Sequence, residues 1–152
     1  MEVDKNGLEV LGRDECLRLL ATAPIGRVGL SSAALPTVLP VTFRLVGDRI
    51  LFRTGHGSKL DAATRQAVVA FEVDDFDLDG HSGWSVVAVG VAQHVAADGI
   101  DELDLVHIAR WIPSPADRLV AISTEIVSGR RLVPGIQPPS WRPVPSGEEV
   151  PT

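Results

Sequence analysis

The 152-residue chain has one cysteine, Cys16, so no disulfide can form within it. Cys16 falls in an expected helix, where its plain reading is a small buried hydrophobe. A catalytic thiol would need a partner base, and none is visible. Basic residues are in deficit, with 14 Lys and Arg against 20 Asp and Glu and a net charge of −6. Nonspecific binding to nucleic acid or to an anionic membrane needs the opposite balance, so neither partner is expected. A local basic pocket for one phosphate stays compatible with that charge. No apolar run reaches the ~18 residues of a membrane span. The N-terminus, Met1–Gly12, is acidic and polar, which does not read as a signal peptide, and a cytoplasmic location is the expectation.

Several chemical signatures are also missing. His56, His81, His94 and His107 are scattered without metal-ligand spacing, so no metal is expected. Of the four, His56 stands apart, because its loop could bring it near a bound phosphate or substrate. Asp74, Asp75, Asp77 and Asp79 lack the terminal Glu of a calcium loop and read as a solvated loop. No serine has a Gly-x-Ser-x-Gly context. The glycine spacing matches neither a dinucleotide fingerprint nor a triphosphate loop. No catalytic acid or base is identified.

What is present is enough apolar sequence for one core: 45% hydrophobic and 22% charged residues. Residues 1–12 read as a loose N-terminal arm, 13–133 as one domain, and 134–152 as a proline-rich extended tail. A short helix is expected over Asp14–Ala23, with acids in its first turn and Pro24 ending it. Strands are expected over Ile25–Ser31, Val38–Val46, Arg49–Thr54, Ala67–Asp74, Trp84–Ala96 and Arg118–Ile126. Gly47-Asp48 reads as a tight turn, and Pro36 as part of a loop. Ser58–Gln66 and Gly99–Trp111 read as helices. Six strands with mostly short connections predict a mainly β protein, a small barrel of about six antiparallel strands with a few short helices.

The segment richest in chemistry is Arg49-Ile50-Leu51-Phe52-Arg53-Thr54-Gly55-His56-Gly57-Ser58-Lys59-Leu60. A strand ends at Thr54, a Gly-His-Gly turn follows, and a helix begins near Ser58. The glycines let the backbone approach an anion. The helix start offers free N–H groups. Thr54, Ser58, Arg53 and Lys59 add hydroxyl and cationic donors. Strand alternation turns Arg53 and Thr54 to opposite faces, so both reach one phosphate only if it lies past the strand end. On local features alone, a plain strand–turn–helix connection with Ser58 as N-cap and Lys59 in water is the leading reading.

Leu51-Phe52-Arg53-Thr54 followed by Gly57-Ser58-Lys59-Leu60 resembles the phosphate-binding segment of the pyridoxamine 5'-phosphate oxidase-like flavin proteins. Leu39-Pro40-Val41-Thr42-Phe43 resembles the strand that runs past the flavin ring in that family. Gly83-Trp84-Ser85, continuing to Gly90-Val91-Ala92, resembles the long strand of its nitroimidazole-reductase-like branch. The three segments keep the family's order. The resemblance implies an FMN-binding split barrel acting as a homodimer, with cofactor at the interface and a small-molecule substrate. It implies Thr54, Ser58 and Lys59 at the phosphate, with Arg53 beside them. Pro40, Val41 and Thr42 would face the ring, and Trp84 the ring edge or the dimer interface. The expected activity is that of a flavin-dependent oxidoreductase. The true oxidases' C-terminal Trp and Arg pattern is missing, so oxidation of pyridoxamine phosphate is not expected. The alternatives are the deazaflavin F420, whose acidic tail would want cations such as Arg27, Arg44 and Lys59, or a non-enzymatic cofactor-binding, haem-binding or regulatory barrel.

Overall fold

The structure, a computed structural model, describes residues 1–58, 60–61, 64–108 and 117–135. Its elements are β1 (Glu9–Leu11), α1 (Arg13–Leu20), β2 (Ile25–Ser32), β3 (Leu35–Val46), β4 (Arg49–Thr54), β5 (Val68–Asp77), β6 (Ser82–Val95), α2 (Glu102–His107), β7 (Arg118–Ser123) and β8 (Ile126–Leu132). All pairings are antiparallel. The ring β6–β5–β2–β3–β4–β7 closes through a second pairing of β6 with β7. The six strands expected from the sequence are the six that close this barrel. Strands β8 and β1 extend from β6 outside the ring.

Closure depends on β6 serving two sheets. It pairs with β8 up to Val89 and with β7 from Ala92. The switch falls at Gly90, where a Cβ would lie 2.5 Å from the Ser123 carbonyl oxygen. A glycine is what permits that approach. Inside the ring, Val28, Phe43, Ile50, Phe52, Phe71, Val86, Val120 and Ile122 form the core. Cys16, Leu19 and Leu20 of α1 pack against it, and Cys16 is fully buried. The outer face of β4 and β7 is covered too, where Leu51, Leu119 and Ala121 meet Ile108 and the partly buried Leu105. Burial on both faces explains why Ile50-Leu51-Phe52 is continuously apolar.

Several expectations change. The segment read as a loose arm contains β1, tied to β8 by Glu9–Arg131 and Asp4–Arg130 ion pairs. Strand β3 begins at Leu35, so Pro36 lies in it. Ala33 (φ 49°) and Ala34 (φ 64°) form the two-residue turn that joins it to β2. The acidic stretch is not a loop as far as Asp77, because Asp74, Asp75 and Asp77 pair with Ser85, Trp84 and Ser82. The expected strand Arg118–Ile126 breaks at Thr124. That residue is buried, and its N–H and hydroxyl both donate to the Asp48 carbonyl, at 3.2 and 2.7 Å. Arg13 donates to the Thr124 carbonyl from α1. The chain then leaves β4 and resumes as β8 against β6.

Within the helix expected over Ser58–Gln66, Leu60 and Asp61 are helical and Thr64 N–H donates to Leu60 O at 3.0 Å. Gln66, at φ 55°, has left the helical region. Of the helix expected over Gly99–Trp111, α2 covers Glu102–His107, with Asp101 accepting from Leu103 N–H at 2.8 Å as its N-cap. Trp111, and the tail beyond residue 135, lie outside the described residues.

Candidate functional site

Strand β3 pairs with β2 along Leu35–Thr42 but with β4 only along Phe43–Val46. Among the described residues, the first part of β3 therefore has an open edge. Pro36 and Pro40 are tolerated there because a missing N–H breaks no ladder on the free side. Alternate residues of such an edge carry backbone groups without a strand partner.

A cavity of about 470 Å³ lies on this edge. It is lined by Ile25 of β2, Leu39, Pro40, Val41 and Thr42 of β3, Arg53 and Thr54 of β4, and Gly55, Ser58 and Leu60 of the following loop. The volume falls in the range of about 300–1,000 Å³ usual for small-molecule sites. Its lining combines an apolar wall of Ile25, Leu39, Val41 and Leu60 with polar groups from Thr42, Arg53, Thr54 and Ser58. Arg53 and Thr54 lie on opposite faces of β4 yet both reach the cavity, because it sits past the strand end. Among the described residues Arg53 has no hydrogen-bond or ion-pair partner. Its guanidinium is free to meet an anion.

Of the residues singled out in the sequence, Pro40, Val41, Thr42, Arg53, Thr54 and Ser58 come together here from separate segments. Trp84 does not join them. It lines two neighbouring clefts, one with Thr22, Pro24, Arg27 and Asp74, the other with Phe76, Arg131 and Leu132. Lys59 lies outside the described residues.

The loop offers fewer peptide donors than the sequence suggests. Ser58 N–H donates to Gly55 O at 3.1 Å. Gly57, at φ 73°, turns its N–H onto the Asp61 carboxylate at 2.9 Å. Asp61 N–H donates to Ser58 Oγ at 3.0 Å. These amides are committed within the loop, so an anion would meet side chains instead. The Ser58 hydroxyl accepts one bond and keeps its own hydrogen to donate. Thr54 is 2% exposed, with its hydroxyl 3.5 Å from Asp61 Oδ1.

Asp61 is the residue that sequence reasoning missed. It is fully buried and gathers partners from three parts of the chain. Arg65 lies 3.3 Å from Oδ2, while His94 Nε2 and Arg118 Nε lie 3.2 and 3.5 Å from Oδ1. His56 Nδ1 is 3.9 Å from Oδ2 and accepts from Arg118 Nε at 2.9 Å. Burial pushes the Asp61 carboxyl up, but the Gly57 N–H, Arg65 and His94 outweigh it and hold the group below its ordinary value. It is therefore ionised at neutral pH. The histidines that look scattered in sequence, His56 and His94, meet at this carboxylate. Only folding creates that juxtaposition, since β6 and β7 bring His94 and Arg118 beside the loop after β4.

Two further features bear on function. The outer face of the main sheet carries a register-paired apolar row, Val38–Gly29–Ala70–Val89–Ile126, with the Val68–Val91 pair beside it. Val38, Val68 and Ile126 are each about two-thirds exposed. The row meets the cavity at Pro40, two residues from Val38. The cations Arg27 and Arg44 are already paired, Arg27 with Glu72 and Asp74 and Arg44 with Asp104. Among the described residues no helix is long and apolar enough to cross a membrane.

A closed six-stranded antiparallel barrel, with a cavity on a split strand edge, defines a split-barrel protein. Residues 12–131 match the pyridoxamine 5'-phosphate oxidase family, and the chain belongs to that family. An uncharacterized protein of Mycobacterium tuberculosis is 39% identical over 135 residues, covering 81% of this chain and 84% of the relative. The solved FAD binding protein from Mycobacterium smegmatis is 33% identical, covers 81% of this chain and 96% of its own, and superposes with a TM-score of 0.64. A FAD-binding protein from Mesorhizobium loti shares the fold at 22% identity, with a TM-score of 0.69 over 83% of this chain and 97% of its own.

Proposed function

We propose that this protein is a flavin-dependent oxidoreductase that binds FMN in the β3–β4 cavity and acts as a homodimer on a small-molecule substrate. The observation that carries the reading is the convergence of Pro40, Val41, Thr42, Arg53, Thr54 and Ser58 on one cavity. The donor set fits the group. Arg53 and the Ser58 hydroxyl suit a phosphate, and charge-assisted bonds of this kind are the strong ones. The open edge of β3 suits the polar rim of the ring, and Ile25, Leu39, Val41 and Leu60 suit its apolar part. Bound flavin supplies the electron transfer, while the protein binds, orients and tunes it. No acid or base of the chain is assigned to the chemistry.

FAD is the second reading, favoured by the likeness to the 33%-identical FAD binding protein from Mycobacterium smegmatis. F420 is less well supported, because Arg27 and Arg44, two of the three cations its acidic tail would use, are occupied by carboxylates, while Lys59 lies outside the described residues. The dimer reading rests on the exposed apolar row that reaches the cavity at Pro40. Val89→Glu would place a charge in that row and shift sedimentation toward the monomer. A wild-type chain already monomeric at micromolar concentration would overturn the dimer.

The test of the cofactor is the visible spectrum of the purified protein before and after adding FMN, FAD or F420, followed by gel filtration. A flavin spectrum that co-elutes and bleaches on reduction supports an oxidoreductase. A Soret band would support a haem protein instead, and no retained chromophore would sink the flavin reading.

A further inference from the structure

We infer that Asp61 is a positioning residue that sets the shape of the phosphate loop and decides which of its donors face the ligand. The inference rests on the reading of this cavity as a flavin-phosphate site.

Two contacts of the Asp61 carboxylate make the case, and one of its backbone amide accompanies them. Gly57 N–H, the amide that a Gly-rich turn would otherwise aim outward, points inward to Asp61 Oδ2 at 2.9 Å. Asp61's own N–H occupies a lone pair of Ser58 Oγ at 3.0 Å, which leaves the serine hydrogen to be donated elsewhere. Ser58 lines the cavity, so that hydrogen can be donated into it. The Thr54 hydroxyl, at the strand end, lies 3.5 Å from the same carboxylate. One buried side chain thus fixes both ends of the turn.

A carboxylate under an anion site needs a reason, because its charge opposes the ligand's. Here its charge is more than offset by Arg65 and Arg118, with His94 Nε2 at 3.2 Å and His56 Nδ1 at 3.9 Å. Those groups come from the segment between β4 and β5, which carries His56 and Arg65, and from β6 and β7. The cluster sets two guanidiniums against one carboxylate, so its net charge does not oppose an anion, and among the described residues the unpaired cation lining the cavity is Arg53. The role of Asp61 is therefore geometric, and removing its acceptor oxygens frees Gly57 and lets the turn relax.

The test uses riboflavin, which lacks the phosphate, as an internal control for ring binding. Dissociation constants for FMN and riboflavin are measured by flavin fluorescence on the wild type, Asp61→Ala and Asp61→Asn. The expected result is that Asp61→Ala lowers the FMN-over-riboflavin preference by about ten-fold or more, with riboflavin affinity held. Asp61→Asn, which keeps an acceptor for Gly57, restores most of it. A purely structural role would weaken both ligands together or move only the melting temperature. Wild-type preference retained in Asp61→Ala overturns this inference alone. No FMN preference in the wild type overturns the phosphate reading, and this inference with it. Should Asp61→Ala fail to fold, amide exchange on the ligand-free wild type decides. A protected Gly57 N–H supports the assignment, and a freely exchanging one overturns it.

Discussion

Replacing Gly26 by alanine should destabilise the barrel at the wall that carries the site. Gly26 lies on the inner face of β2, opposite Val41 of the cavity edge. A Cβ there would sit 2.1, 2.6 and 2.9 Å from three carbons of the Phe71 ring. Carbon atoms pack at about 3.5–4.0 Å, so the ring would have to retreat by roughly 1.4 Å or more. It has nowhere to go. Phe71 is fully buried and meets Phe43 edge-on at a centroid distance of 4.8 Å. The backbone of β2 is held between β3 and β5. Overpacking of a filled core costs about 1–3 kcal/mol, and a rigid ring in three-atom conflict points to the upper half of that range. For a chain of this size that is a fall of roughly 4–12 °C in melting temperature. Urea unfolding should show a lower midpoint with an unchanged slope. Phe71→Leu makes room, so the double variant should be more stable than the sum of the single losses implies, by about 0.5–3 kcal/mol. A Gly26→Ala protein within about 0.5 kcal/mol of wild type, or strict additivity with Phe71→Leu, would refute the packing argument.

Three other outcomes are expected. Ala34→Gly should stabilise by about 0.5–1 kcal/mol in thermal or chemical unfolding, because relief of a left-handed alanine exceeds the entropic cost of glycine; a loss of stability would contradict the turn geometry. Arg53→Ala and Ser58→Ala should each weaken FMN binding about ten-fold or more, as expected for bonds to a charged group, and leave riboflavin binding unchanged; equal losses for both ligands would place the contact elsewhere. Hydrogen bonds from Arg18 and Arg131 hold the Glu15 carboxyl at about 2, down from 4.5. Its lowered value means its contribution is complete above pH 4.5 and fades as pH falls toward 2. An NMR titration of Glu15 should show this, Glu15→Gln should flatten the acid limb of stability, and an ordinary carboxylate midpoint would contradict the ion pair between α1 and β8.

The barrel strands were legible because their signal is local. Arg49–Thr54 shows it best, a short apolar strand between Gly47-Asp48 and Gly55. The start of β3 was hidden because Ala33-Ala34 carries none of the Asn or Gly that usually announces a hairpin turn. Strand β8 was hidden because Thr124 interrupts an apparently continuous run, and what breaks it there is tertiary, the Asp48 carbonyl and Arg13. The polar end of the site was legible in Arg53, Thr54 and Ser58, whose residue types suit a phosphate at a strand end. Asp61 was not, because a lone aspartate in a short helix has no pattern; its meaning comes from Gly57, His94 and Arg118, which only the closed barrel assembles around it.

The central claim, that the β3–β4 cavity holds a flavin by its phosphate, is tested most directly by an experimental structure of the protein with FMN bound. The account predicts the phosphate within hydrogen-bonding distance of Ser58 and Arg53, with the ring along the open edge at Pro40–Thr42. A flavin seated instead in the clefts lined by Trp84, or bound with its phosphate away from Arg53 and Ser58, would contradict it.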